Sequence, residues 1–193
     1  MKKAIMAIDP GKSGFLAVLA DDEFNFYPMP THKVPTGETL KSGKPKMKTE
    51  FNERGFRQLV LNMNEFYEGY EMHGAIEEVT GRQSWSAQNN FNFGHTAGLQ
   101  RMIFIMLDVE YVTVRPQKWQ AVMYQDVEKV MKKSSTGKTM VHDTKATSAK
   151  AAEKYGPGID FKKTARSTTI DDNKTDAFLM CLWRQKQLQK DDK

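Results

Sequence analysis

A chain of 193 residues with 39% hydrophobic and 10% aromatic side chains is long enough for one folded domain with its own core, and too apolar to be a disordered segment. Basic side chains outnumber acidic ones by 29 to 24, and the net charge of +5 leans towards a polyanionic partner. The single cysteine, Cys181, excludes an internal disulfide and a thiolate zinc cluster and fits a reducing, cytosolic setting; the apolar run after Met-Lys-Lys is too short for a secretory leader or a membrane span.

Residues 4–8 are apolar, end in Asp9 and are broken by Pro10-Gly11, the pattern of a buried strand that terminates in a carboxylate. Such an acid is unfavourable unless it is paired or holds a metal, although Asp before Pro-Gly also initiates turns. Residues 14–20 and 24–27 predict two more strands, joined by the short polar Asp21-Asp22-Glu23, so that the first three form an antiparallel meander. At about residues 29–50 the composition turns to Pro, Gly, Thr and Lys, with Lys33, Lys41, Lys44, Lys46 and Lys48, and predicts a long exposed loop. Residues 52–67 have the spacing of an amphipathic helix.

Residues 74–79 predict a fourth strand that again runs apolar until it meets an acid. Glu77 and Glu78 point to opposite faces, so only one can share a pocket with Asp9. Residues 87–107 predict a long helix with Ser86 as N-cap and Phe91, Leu99, Met102, Ile103 and Met106 as its apolar side. Gly94 and Gly98, one turn apart, permit close approach of the sheet, a partner subunit or a DNA backbone. Residues 109–114 predict a fifth strand, and Pro116 opens a short helix through Met123. Residues 132–142 predict a second basic loop. Neither it nor Gly11-Lys12-Ser13 carries the first glycine of a phosphate-cradling loop, since those positions are Lys132 and Met6. Residues 144–155 predict a helix stopped by Gly156-Pro157-Gly158, and the last helix opens near Asp171.

Asp172 and Asp176 stand four apart in that last helix and share a face with Leu179, Met180 and Trp183. Two acids there repel; the helix dipole offsets part of this and a divalent cation more. An Asp in the first helical turn also caps backbone donors, a role open to Asp171. Strand one thus gives an Asp, strand four a Glu and the last helix two Asp, with no His- or Cys-rich alternative. Oxygen-only donors suit Mg²⁺ or Mn²⁺.

The strand ending Ile8-Asp9-Pro10-Gly11, the strand Ala75-Ile76-Glu77-Glu78-Val79 and the run from Asp172-Asn173-Lys174 to Asp176-Ala177-Phe178-Leu179 resemble the RuvC-type Holliday junction resolvases of the RNase H-like superfamily. Pro116-Gln117-Lys118-Trp119, and the stretch from Asp143-Thr144-Lys145 through Ala151-Ala152 to Gly156-Pro157-Gly158, bring the likeness nearest to phage-encoded members. The resemblance implies an α/β, RNase H-like fold in one domain over residues 1–193. Its five-stranded mixed sheet joins the meander of strands 1–3 to parallel strands 4 and 5, with helices on its faces and the basic loops at about 29–50 and 132–142 outside it.

It also implies that Asp9, Glu77, Asp172 and Asp176 hold two Mg²⁺ ions per site, with Mn²⁺ able to substitute. Asp171 stands in reserve for the third position, because the residue three before Asp176 is Asn173. Gln120 departs from the pattern, which often has Lys after the Trp; Lys118 is the nearby replacement. The activity implied is Mg-dependent cleavage of four-way DNA junctions by paired nicks in a homodimer, with no nucleotide and no membrane. The setting implied is cytoplasmic, that of a bacterial host if the chain is phage-encoded. Lys118, Lys44, Lys46, Lys48, Lys132, Lys133 and Lys138 become candidate phosphate contacts, and Phe15, Tyr27 and Trp85 candidate stacking residues.

Other functions stay open on the sequence. Another RNase H-superfamily nuclease, acting on branched DNA or an RNA–DNA hybrid, would use the same acids. A non-catalytic junction-binding protein would lack one of them, and an actin-like or sugar-kinase ATPase needs a second Asp-x-Gly loop and two large lobes.

Overall fold

The computed structural model describes residues 2–164 and 166–191. In chain order it contains β1 (Lys2–Asp9), β2 (Phe15–Ala20), β3 (Glu23–Pro28), β4 (Thr31–Thr39), β5 (Pro45–Phe51), α1 (Glu53–Phe66), β6 (Tyr70–Glu77), α2 (Ala87–Met106) and β7 (Glu110–Val114). There follow α3 (Pro116–Met123), β8 (Met131–Lys133), β9 (Met140–His142), α4 (Thr144–Tyr155) and α5 (Asp172–Asp191). The main sheet has the order β3-β2-β1-β6-β7, antiparallel among the first three strands and parallel from β1 through β6 to β7. This is the mixed five-stranded arrangement that the sequence predicts.

β1 lies at the centre, and its residues from Ala4 to Ile8 are buried on both faces, which is why it reads as an unbroken apolar run. One core layer packs Ile5, Ala7 and Ala75 against Trp119, Phe178 and Trp183 from α3 and α5. The other packs Met6, Ile8, Leu16 and Val18 against Phe56 and Met63 of α1 and Ile103 and Phe104 of α2. No helix among the described residues is long and apolar enough to cross a membrane.

Three expectations are corrected. The segment at about 29–50 is a hairpin of β4 and β5, and the segment at 132–142 a short hairpin of β8 and β9, rather than loops. Both hairpins stand outside the main sheet with mostly solvated faces, so they show no alternation of apolar and polar side chains. Third, α2 buries Ala97, Gln100, Ile103 and Phe104, while Phe91 is 67% exposed and Met102 and Met106 also face solvent. That helix is apolar on two sides, and periodicity cannot choose between them.

Gln100 shows why the chosen side matters. Fully buried, it accepts a hydrogen bond from the Gly11 N–H at 2.9 Å and donates one to the Gly11 carbonyl at 2.7 Å, clamping the turn after Asp9. Gly11 has a φ of 131°, which an L side chain rarely adopts, and a Cβ on Gly14 would collide with the Asp9 carbonyl. The β4–β5 hairpin leans on the same turn, where Lys12 Nζ donates to the Thr49 carbonyl at 3.1 Å. Gln100→Met leaves the Gly11 N–H without a partner in a dry site, at about 1–3 kcal/mol, while the Gly11 carbonyl keeps its bond from the Gly14 N–H at 3.0 Å. Urea denaturation is expected to show a loss of that order; a change within about 0.5 kcal/mol would mean that the turn holds itself.

Candidate metal centre

Parallel pairing aligns Ile8 with Ile76, so β1 and β6 end at the same level and Asp9 stands beside Glu77. Period two puts Asp9 with Ala7, and Glu77 with Ala75, on the face covered by α5. Glu78 turns the other way and accepts from Arg115 Nε at 2.8 Å. Together with Glu77, Arg82, Phe93 and Arg115 it lines a cavity of about 290 Å³ beside the acids. From α5, Asp176 faces both strand ends.

Asp171 caps α5, accepting from the backbone N–H groups of Asn173 and Lys174 at 3.1 and 3.4 Å. Asp172 begins the helix one turn before Asp176 and is held by Lys145 of α4, with Nζ 2.5 Å from Oδ2. Asn173 donates from Nδ2 to the Ser13 carbonyl at 2.8 Å, tying α5 to the turn that follows Asp9. An acid at position 173 could not make that bond, since an ionised carboxylate only accepts.

Neighbours fix the individual carboxylates. Ser148 Oγ donates to Asp176 Oδ1 at 2.6 Å and lies 2.5 Å from Tyr124 Oη. Trp119 Nε1 donates to Glu77 Oε2 at 3.1 Å. Burial, then repulsion from Asp176, Glu77 and Asp171, holds the Asp9 carboxyl well above the usual range, with Lys145 pulling it back. Asp176 is pushed up to about 7, mainly by burial, with Glu77 and Asp172 adding repulsion and Ser148 opposing it. Burial also raises Glu77, against the hydrogen bond from Trp119 and the charge of Arg82. The Lys145 ammonium is stabilised first by its bond to Asp172 and further by Asp176 and Asp9.

Asp9, Glu77 and Asp176 therefore repel one another across a shared space, and Asp172 adds to the repulsion felt by Asp176. Among the described residues no three His, Cys, Asp or Glu side chains close on one point as a preformed cage. The donor set nevertheless fits a hard divalent cation: it is oxygen-only, carries more negative charge than Lys145 offsets, and lies at strand ends beside an open cavity.

Lys145 and Ser148 were invisible as site residues in the sequence, although both lie in the stretch between Asp143 and Ala152 that carries the resemblance. Lys118 is exposed on α3 and forms no ion pair among the described residues; the ammonium that reaches the acids is Lys145's. Of the other predicted phosphate contacts, Lys46, Lys48 and Lys132 pair with Glu38, Glu50 and Asp143, whereas Lys44, Lys133 and Lys138 are exposed without ion pairs among the described residues. Trp85 lies under the Arg82 guanidinium and edge-on to Phe93, while Tyr27 Oη meets Tyr67 Oη at 3.2 Å and Phe15 packs on the core.

No protein-family model matches the chain, and no curated protein matches it in sequence. Among solved structures it is similar to Thermus thermophilus RuvC in complex with Holliday junction substrate. That match has a TM-score of 0.57 at 11% identity and covers 97% of this chain and 96% of that one. A second Thermus thermophilus RuvC structure gives 0.48 at 16% identity, covering 95% and 96%. The first match establishes the fold as RuvC-type and RNase H-like.

The raised carboxyl groups predict a pH dependence of stability. A group whose folded pKa exceeds its unfolded one stabilises the fold fully below the unfolded value, 3.8 for Asp176, and loses that contribution as pH rises through about 7. Without divalent metal, Tm is expected to fall between about pH 5 and pH 8, and Asp176→Asn to lessen the fall. Mg²⁺ should raise Tm at the upper pH in the parent and less in the variant. Parallel Tm curves for the two proteins would contradict the charge crowding at Asp176.

Proposed function

We propose that this protein is a divalent-metal-dependent endodeoxyribonuclease that resolves four-way DNA junctions by paired nicks as a homodimer. The observation that carries this reading is the facing of Asp9 and Glu77 from two strand ends by Asp176 of α5, under strong mutual repulsion, on a RuvC-type sheet. That the similar Thermus protein was solved with a junction supports the choice of substrate. A bacterial cytoplasm, with a phage as source, is the setting that goes with it.

Asp9, Glu77, Asp172 and Asp176 would hold Mg²⁺, or Mn²⁺ in its place, at two ions per site. When bound, the metal supplies activation of water and stabilisation of charge at the scissile phosphate. The chain's own contribution is placement. Trp119 fixes Glu77, Ser148 and Tyr124 fix Asp176, and the clamped turn fixes Asp9. Lys145, drawn off Asp172, offers a positive charge to the phosphate, while Asp171 remains the helix cap. No covalent intermediate and no nucleotide are required.

A homodimer is supported by α2. Phe91, Met102 and Ile105 are exposed, and nothing stands within 4 Å of where a Cβ on Gly94 or Gly98 would lie. These residues form one stripe, and a twofold axis through it would bury the apolar side chains and set two acid clusters against a twofold junction. Exposed Lys44, Lys118, Lys133 and Lys138 would meet phosphates by position rather than by base.

Asp9→Asn and Asp176→Asn are each expected to lower Mg²⁺-dependent junction cleavage by about 100-fold or more while binding persists. Cleavage is to be measured on a fixed junction beside a Y-fork, a duplex and an RNA–DNA hybrid; either variant still cutting would sink the assignment. Asp172→Asn should be far more damaging than Asp171→Asn, which keeps an oxygen to accept the capping bonds from the Asn173 and Lys174 N–H groups. Equal rates for that pair would move the third ligand elsewhere. Met102→Lys combined with Ile105→Lys should convert a dimer to a monomer in sedimentation at micromolar concentration.

A further inference from the structure

The β8–β9 hairpin takes no part in the acid cluster yet is anchored beside it. The Asp143 N–H donates to the Val130 carbonyl at 2.8 Å, and the Val130 N–H donates to Thr147 Oγ1 at 3.0 Å. His142 Nε2 lies 2.9 Å from the same hydroxyl, and its ring meets Tyr124 edge-on. All of these anchors converge on the first turns of α4, the helix that sends Lys145 and Ser148 into the site. The base of the hairpin is therefore tied to the helix whose Lys145 and Ser148 bond Asp172 and Asp176.

Its surface is unusual for a solvated turn. Cross-strand register pairs Met131 with His142 and Lys133 with Met140, which puts both methionines and Lys133 on one face. Met131 is 48% exposed and Met140 57%, and Val141 faces solvent on the other side. Strands of three residues offer no surface on which to bury thioethers. Residues 131–142 also carry Lys132, Lys133 and Lys138 and no acid. Exposed methionines along a finger whose charged side chains are all basic match a polyanion that offers exposed apolar rings, namely DNA whose bases are unstacked at a branch.

We infer that β8–β9 is a wedge that holds a DNA branch point open: Met131 and Met140 press on unstacked bases while Lys133 and Lys138 hold the flanking phosphates. Apolar side chains inserted between base steps offset the cost of unstacking by the contacts that the opened DNA then makes. The inference rests on the junction reading above and adds to it the element that opens the substrate.

The test uses the full-length protein, a fixed four-way junction with 2-aminopurine at the branch, and the same junction built with unpaired bases there. Met131→Ser/Met140→Ser is expected to bind the junction within about twofold of the parent. It should lose the fluorescence rise on binding and cut the paired junction about tenfold more slowly, yet cut the pre-opened junction at the parent rate. Lys133→Ala/Lys138→Ala should instead weaken binding to both, with the salt slope shallower by about 1–2. A methionine variant that keeps the fluorescence rise, or that slows equally on both substrates, overturns the wedge. So does a change in its oligomeric state, which would make the hairpin a protein contact. A parent that cuts neither junction overturns the functional reading and the wedge with it, whereas a parent matched by its methionine variant overturns the wedge alone.

Discussion

The parallel pairing of β1 with β6 decides where charge accumulates in this molecule. Ending two central strands in acids at the same level places Asp9 and Glu77 side by side at a point that α5 must cover, and α5 brings Asp176 with it. Every neighbouring feature answers that crowding. Trp119 and Ser148 direct donors at individual oxygens, Lys145 supplies a positive charge, and Asn173 rather than an acid faces the nearby Ser13 carbonyl. The residual imbalance is what raises the carboxyl groups, and it is the property that a cation-binding site has before a cation arrives.

The sheet was legible in the sequence because its strands obey simple rules. β1 is buried on both faces and reads as continuous apolar residues, and β2 follows the broken turn at once. The acids at the ends of β1 and β6, and the pair at the start of α5, were legible for a related reason: a carboxylate that closes an apolar run stands out against it. The two hairpins were not legible, because hydrophobic pattern marks a strand only where one face is dry. Nor was the buried side of α2, since Phe91 and Met102 are as apolar as Ile103 and Phe104. Gln100 gave one clue, a polar side chain in an apolar stripe, but its partner is backbone 89 positions away.

Lysine counts alone also misjudge the basic surface. Lys46 is paired across its hairpin with Glu38, Lys48 with Glu50 two residues along the same strand, and Lys132 with the α4 cap Asp143; the first and last depend on register and helix capping that a list of residues does not contain. Of the seven candidate lysines, those left exposed without ion pairs among the described residues are Lys44, Lys133 and Lys138 on the two hairpins and Lys118 on α3.

The tether from Asn173 to Ser13 joins positions 160 apart, and the same helix carries Asp172 and Asp176. Contacts of such separation form late in folding, because the loop they close must first lose its freedom. Phe178, Leu179 and Trp183 of the same helix close one core layer of the sheet, so that layer and the acid pair arrive together. Meeting of the four acids is thus coupled to docking of α5, and a chain still emerging from synthesis carries Asp9 and Glu77 without the pair that faces them.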